Sequence, residues 1–237
     1  MLALGSALHA KGQVPGDALT MAGAGGLADF EAARGGLDAY EHLNQITGGD
    51  SVRLCGAHPC IGWVEDRYQG GTLKHRGYYD AGQLTVYRNY HPNGQLEREF
   101  KSSDAVKSTL KKFWPDGTMH QETRYWNGVP LEFTEFHTNG RVRYEEVKHR
   151  ENPYYLKMNL FTEDGRPVST MSLVDKRTVT FDLAEYHANG QPSAKGKARY
   201  NPGRMDTQRI GTWSYWDEQG MLVREEDYVD GKVKAVR

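Results

Sequence analysis

Tyr90-His91-Pro92-Asn93-Gly94 is the phrase on which this chain turns: an aromatic residue, two variable positions, Asn or Asp, then Gly. It returns as Tyr78-Tyr79-Asp80-Ala81-Gly82, Phe113-Trp114-Pro115-Asp116-Gly117, Phe136-His137-Thr138-Asn139-Gly140, Phe161-Thr162-Glu163-Asp164-Gly165, Tyr186-His187-Ala188-Asn189-Gly190 and Trp216-Asp217-Glu218-Gln219-Gly220. Asn-Gly and Asp-Gly between strand-like runs signal hairpins, because a type I′ turn needs positive φ at both central residues. Successive glycines lie 12, 23, 23, 25, 25 and 30 residues apart, with weaker turn signals at Gly70-Gly71, Asn127-Gly128 and Asp230-Gly231. One unit is therefore two strands of about 5–8 residues with a turn at each end. The expected fold is mainly β: an antiparallel meander of hairpin repeats over 63–237.

Alternation supports this reading. Leu96, Arg98 and Phe100 share one face of a strand and Gln95, Glu97 and Glu99 the other; Val142, Tyr144 and Glu146 likewise oppose Arg141, Arg143 and Glu145. Neither face is purely apolar. Hydrophobic residues make up 38% and mean hydropathy is −0.75, with apolar character concentrated in 14 Tyr, 7 Phe and 5 Trp. That composition suits a thin sheet whose aromatics cover one another. A formal charge of −1 gives no field to attract nucleic acid, and no apolar run is long enough to span a membrane.

Residues 1–62 read differently. Met1-Leu2-Ala3-Leu4 opens a small, apolar stretch that lacks a basic region ahead of it; it is either the remnant of a trimmed secretory signal, implying a periplasmic protein, or a plain N-terminus, leaving a cytoplasmic one. Leu27, Phe30 and Arg34, then Leu37, Tyr40, Leu43 and Ile46, predict one or two short helices. Cys55 and Cys60 flank Gly56-Ala57-His58-Pro59, a spacing that admits a disulfide, a pair of free thiols, or a three-ligand metal site with His58.

No P-loop, Rossmann fingerprint, nucleophile elbow or His-Glu-x-x-His motif is present, so no catalytic residue, cofactor or metal is expected. His91, His137 and His187 occupy one repeat slot, shared with Tyr79, Trp114, Thr162 and Asp217. A slot open to all these types is not a proton-transfer site. Two stretches break the rhythm: Tyr154 and Tyr155 beside Asn152-Pro153, and the long 190–220 interval with Arg199, Arg204 and Arg209. Insertions in repeat arrays map to loops and often bind. Together with Trp213, Trp216, Glu225, Glu226 and Asp227 these form the expected partner-binding set.

Tyr90-His91-Pro92-Asn93-Gly94-Gln95-Leu96-Glu97 and Tyr186-His187-Ala188-Asn189-Gly190-Gln191-Pro192 resemble the MORN-variant repeat of bacterial YwqK-family antitoxin proteins. The resemblance spans about 78–231. It implies an immunity protein that binds a toxic effector, such as a phospholipase D-type enzyme of type VI secretion, and masks its active site. A structural or membrane-associated repeat scaffold is the alternative it permits.

Overall fold

The computed structural model describes residues 52–237; the helices expected between 27 and 46 lie outside them. A two-stranded hairpin, β1 (Leu54–Cys55) and β2 (His58–Pro59), precedes one sheet of fifteen antiparallel strands. In chain order these are β3 (Gly62–Arg67), β4 (Leu73–Asp80), β5 (Gln83–Tyr90), β6 (Leu96–Ser102), β7 (Lys107–Phe113), β8 (Met119–Trp126), β9 (Val129–Phe136), β10 (Val142–Lys148), β11 (Tyr155–Phe161), β12 (Pro167–Asp175), β13 (Thr180–Tyr186), β14 (Pro192–Asn201), β15 (Asp206–Trp216), β16 (Leu222–Val229) and β17 (Lys232–Val236). Every strand pairs with its sequence neighbours, and β17 does not return to β3. The sheet is an open meander.

The turns along one edge of the sheet share one frame. At 68–72, 91–95, 114–118, 137–141, 162–166, 187–191 and 217–221 the Gly N–H donates to the carbonyl three residues back, and the residue after the Gly closes the loop by accepting from that same earlier residue. Only the Gly has positive φ. This is a three-residue loop with a left-handed glycine, not the type I′ turn the Asn-Gly pairs predict. Type I′ geometry, with both central φ positive, occurs on the other edge, at Ala81-Gly82, Asn127-Gly128 and Asp230-Gly231. Tyr78-Tyr79-Asp80-Ala81-Gly82 therefore belongs to the wrong edge to be a copy of the phrase; the structural equivalent is Arg67-Tyr68-Gln69-Gly70-Gly71, which lacks the leading aromatic but shares the frame and lies a 23-residue step before Gly94.

Alternation assigns one face to burial. His75, Tyr79, Leu84, Tyr87, Arg98, Phe100, Leu110, Thr123, Tyr125, Tyr144, Glu146, Met158, Met171, Phe181, Ala198 and Trp213 lie on it, and all are buried. The other face carries cross-strand ion pairs such as Arg88–Glu99 at 2.7 Å and Arg124–Glu132 at 3.0 Å, each exposed and worth at most about 1 kcal/mol.

The long 190–220 interval is not a loop. Its extra residues lengthen β14 to 10 residues and β15 to 11, joined by a short turn at 202–205. Within β15, Gly211, Thr212 and Trp213 face Gly196 alone, a bulge that turns Trp213 into the buried face. Its ring lies on Gly196 and its Nε1–H donates to the Lys197 carbonyl at 2.9 Å. By contrast 149–154 is a true loop between β10 and β11.

Candidate partner-binding face

The repeat slot occupied by histidines has a structural task. His91, His137 and His187 Nε2 lie 3.3, 3.1 and 2.8 Å from the carbonyls of Phe113, Phe161 and Trp216, the aromatics of the next unit. A carbonyl only accepts, so Nε2 carries the proton in each. The Tyr68 hydroxyl makes the equivalent bond to the Tyr90 carbonyl at 2.7 Å. Phenol and imidazole interchange here because each carries a donor of that reach; Thr162 and Asp217, in the same slot, bond within their own turns instead.

Three polar clusters lie along the buried face. In the first, Arg53 donates to both Asp66 carboxylate oxygens at 2.7 Å and to the Tyr79 hydroxyl at 3.1 Å. Asn89 Oδ1, 2.7 Å from His75 Nδ1, only accepts, so Nδ1 carries the proton and Nε2 accepts from the Tyr79 hydroxyl at 3.1 Å. Cys60, buried beside this cluster, is disulfide-bonded to Cys55, so neither sulfur serves as a thiolate ligand. Among the described residues no group of three His, Cys, Asp or Glu side chains is placed to hold a metal ion.

In the second, Tyr144 O–H donates to buried Glu146 at 2.8 Å, and Lys148 Nζ stands 3.6 Å from the same carboxylate. Burial first, then the Glu146 charge, pushes the Tyr155 phenol up to about 12. The same two causes raise Tyr144 further.

The third, on β13–β16, is the densest. Arg209 lies 4.0 Å over the Trp213 ring and donates to Glu185 at 2.7 Å, the Tyr215 hydroxyl at 2.9 Å and the Tyr228 hydroxyl at 3.4 Å. Tyr228 O–H donates to Glu226 at 2.6 Å, and Arg224, stacked 4.2 Å over Tyr215, donates to the other oxygen of Glu226 at 2.8 Å. Burial opposes the Glu226 charge, but hydrogen bonds from Tyr228, Tyr215 and Arg224 outweigh it and hold the carboxyl below its ordinary range. Burial likewise opposes the Arg209 charge and is outweighed by Tyr228, Tyr215 and Glu185. A network so committed is rigid. Beyond it the buried face opens onto Val233 and Val236, which are exposed.

The expected partner-binding residues are thus scattered. Arg209, Trp213 and Glu226 meet in this cluster, where Trp213 and Arg209 are interior rather than displayed. Glu225 and Asp227 face the other way, bonded to Ser214 and Thr212. Trp216 lies at the framed turn edge. Arg199 is exposed on the outer face, and Arg204 is exposed in the 202–205 turn. Tyr154 packs on Tyr200 at 5.5 Å, at the far edge, and Tyr155 joins the second cluster. Glu185, Tyr215, Arg224 and Tyr228 were not expected: they look like ordinary strand residues, and only the register brings them to Arg209.

Residues 85–101 match the MORN repeat variant, and they cover most of β5, the framed turn at 91–95 and most of β6. The protein is thus a β-hairpin repeat protein containing a MORN repeat variant. No curated protein matches the chain. Among solved structures, the crystal structure of TcdB2-TccC3-TEV is similar over 70% of this chain and 13% of that chain, at 9% identity and a TM-score of 0.19, a likeness that carries no argument. Among the described residues no helix is long and apolar enough to cross a membrane.

Proposed function

We propose that this chain is a repeat scaffold without catalytic activity, which binds a protein partner at the open end of the buried face, over β15–β17. The observation that carries this is the contrast across the third cluster. Apart from the buried Arg209 Nε, which has no partner, its polar groups hydrogen-bond one another, which holds Tyr215, Tyr228 and Arg224 in place, while Val233 and Val236 stay exposed beside them. Rigid aromatic and arginine anchors flanked by apolar surface are what binding hot spots are made of. The fitting partner is a folded protein with apolar side chains for the two valines and a carboxylate for Arg224.

The finer reading, that the partner is a toxic effector enzyme whose active site is masked in the periplasm, is supported by the resemblance of the repeat phrases to antitoxin proteins and by a disulfide suited to an oxidising compartment. Coexpression with effectors encoded beside the gene, scored by growth and by direct binding, tests it. The expected result is rescue and a complex that is lost on Arg224→Glu with Val236→Asp. Binding unchanged by those substitutions refutes the surface; absence of rescue with every neighbouring effector refutes the finer reading. If the chain instead floats with anionic liposomes, the membrane-associated scaffold is correct.

A further inference from the structure

Four Asn-Gly pairs occur in the chain, and the structure treats one of them differently. Asn93, Asn139 and Asn189 stand in framed turns. Each Nδ2 donates at 2.7 Å to a carbonyl of the next turn, Pro115, Glu163 and Glu218 respectively. Each Oδ1 accepts the N–H two residues on at 2.9–3.0 Å, and the N–H of each following glycine is held by the carbonyl three residues back at 2.8–2.9 Å. Asn127 sits in the type I′ turn between β8 and β9, exposed, at φ 48°. Among the described residues neither its side chain nor the Gly128 N–H has a hydrogen-bond partner; only its own N–H is held, by Val106 O.

This difference bears on a spontaneous reaction. The amide nitrogen of a following glycine, which has no side chain to hinder it, attacks the Asn Cγ. The nitrogen loses its proton, the Cγ–Nδ2 bond breaks and ammonia leaves, giving a succinimide. Water then opens the ring at either carbonyl to aspartate or isoaspartate. At Asn93, Asn139 and Asn189 the attack requires releasing three hydrogen bonds at once, two on the electrophile and one on the nucleophile. At Asn127 none of these three bonds is made.

We propose that Asn127 is a hydrolytic modification site, converting to aspartate and isoaspartate in the folded protein while the three framed asparagines persist. Isoaspartate there inserts a methylene into the backbone of a two-residue turn, which has no slack, so the Trp126–Val129 pairing that closes β8 on β9 opens. Either product adds a negative charge to a chain of formal charge −1.

The test is peptide mapping by mass spectrometry of the full chain held in mildly alkaline buffer, with fragmentation that separates isoaspartate from aspartate, run in parallel on folded protein and on protein in denaturant. In the folded arm Asn127 is expected to convert about tenfold or more faster than each framed asparagine, since every hydrogen bond that must be released slows the step. In denaturant the four rates should fall within about threefold of one another, because the frames are gone. Framed asparagines converting as fast as Asn127 in the folded arm would overturn the proposal, and so would a folded protein in which none of the four converts while all four do in denaturant.

Discussion

Gly196→Ala is the substitution that most directly tests how the buried face is built. The Gly196 backbone is not left-handed, so alanine is conformationally acceptable, and only space is at stake. A Cβ there would come within 2.4–2.5 Å of three atoms of the Trp213 ring, which is buried completely and pinned through Nε1 to the Lys197 carbonyl. The ring must move. Overpacking of this kind costs about 1–3 kcal/mol, and losing the Nε1–H bond adds about 0.5–1.5 kcal/mol. Stiffening of the unfolded chain by alanine returns about 0.4–1 kcal/mol. The net is a destabilisation of about 2 kcal/mol, from the balance of those three effects. In a repeat array it falls on the strands that share the contact, so hydrogen exchange should rise over β13–β16 and not over β4–β8. Denaturant titration of the variant should show the matching loss. In a Trp213→Ala background the same substitution should cost under about 0.5 kcal/mol, because the space it needs has been vacated. A Gly196→Ala protein with parental exchange rates and denaturation midpoint would show that Trp213 does not seat on Gly196.

Two further outcomes follow from the other clusters. Tyr155 keeps its proton from the ordinary tyrosine value of 10.0 up to about 12 when folded, so between those values the folded state binds more protons and stability falls as pH rises; Tyr155→Phe should flatten that fall in alkaline unfolding curves. Replacing Cys55 and Cys60 together by serine should cost about 2 kcal/mol by the loop-closure argument, read as faster hydrogen exchange at 53–60 and 77–87, where Arg53, Cys60 and Gly82 are hydrogen-bonded backbone to backbone, with exchange in β13–β16 unchanged.

The amino-acid sequence by itself determined the meander. Glycine's tolerance of positive φ and the two-residue period of a strand are local properties, so the turn positions and the buried sets such as Arg98 with Phe100 and Tyr144 with Glu146 are legible without coordinates. Local signals also misled. Asn-Gly suits two turn geometries, the three-residue frame at Asn93 and Asn139 and the type I′ turn at Asn127, and the dipeptide alone does not say which. Spacing alone likewise made 190–220 a loop, whereas bulging β15 over Gly196 lets the added residues stay in the ladder. Only the tertiary structure decided the cluster at β13–β16. Arg209, Glu185, Tyr215 and Tyr228 stand on three different strands, and two bulges set which of them meet. A register is a property of paired strands, and no single stretch of chain contains it.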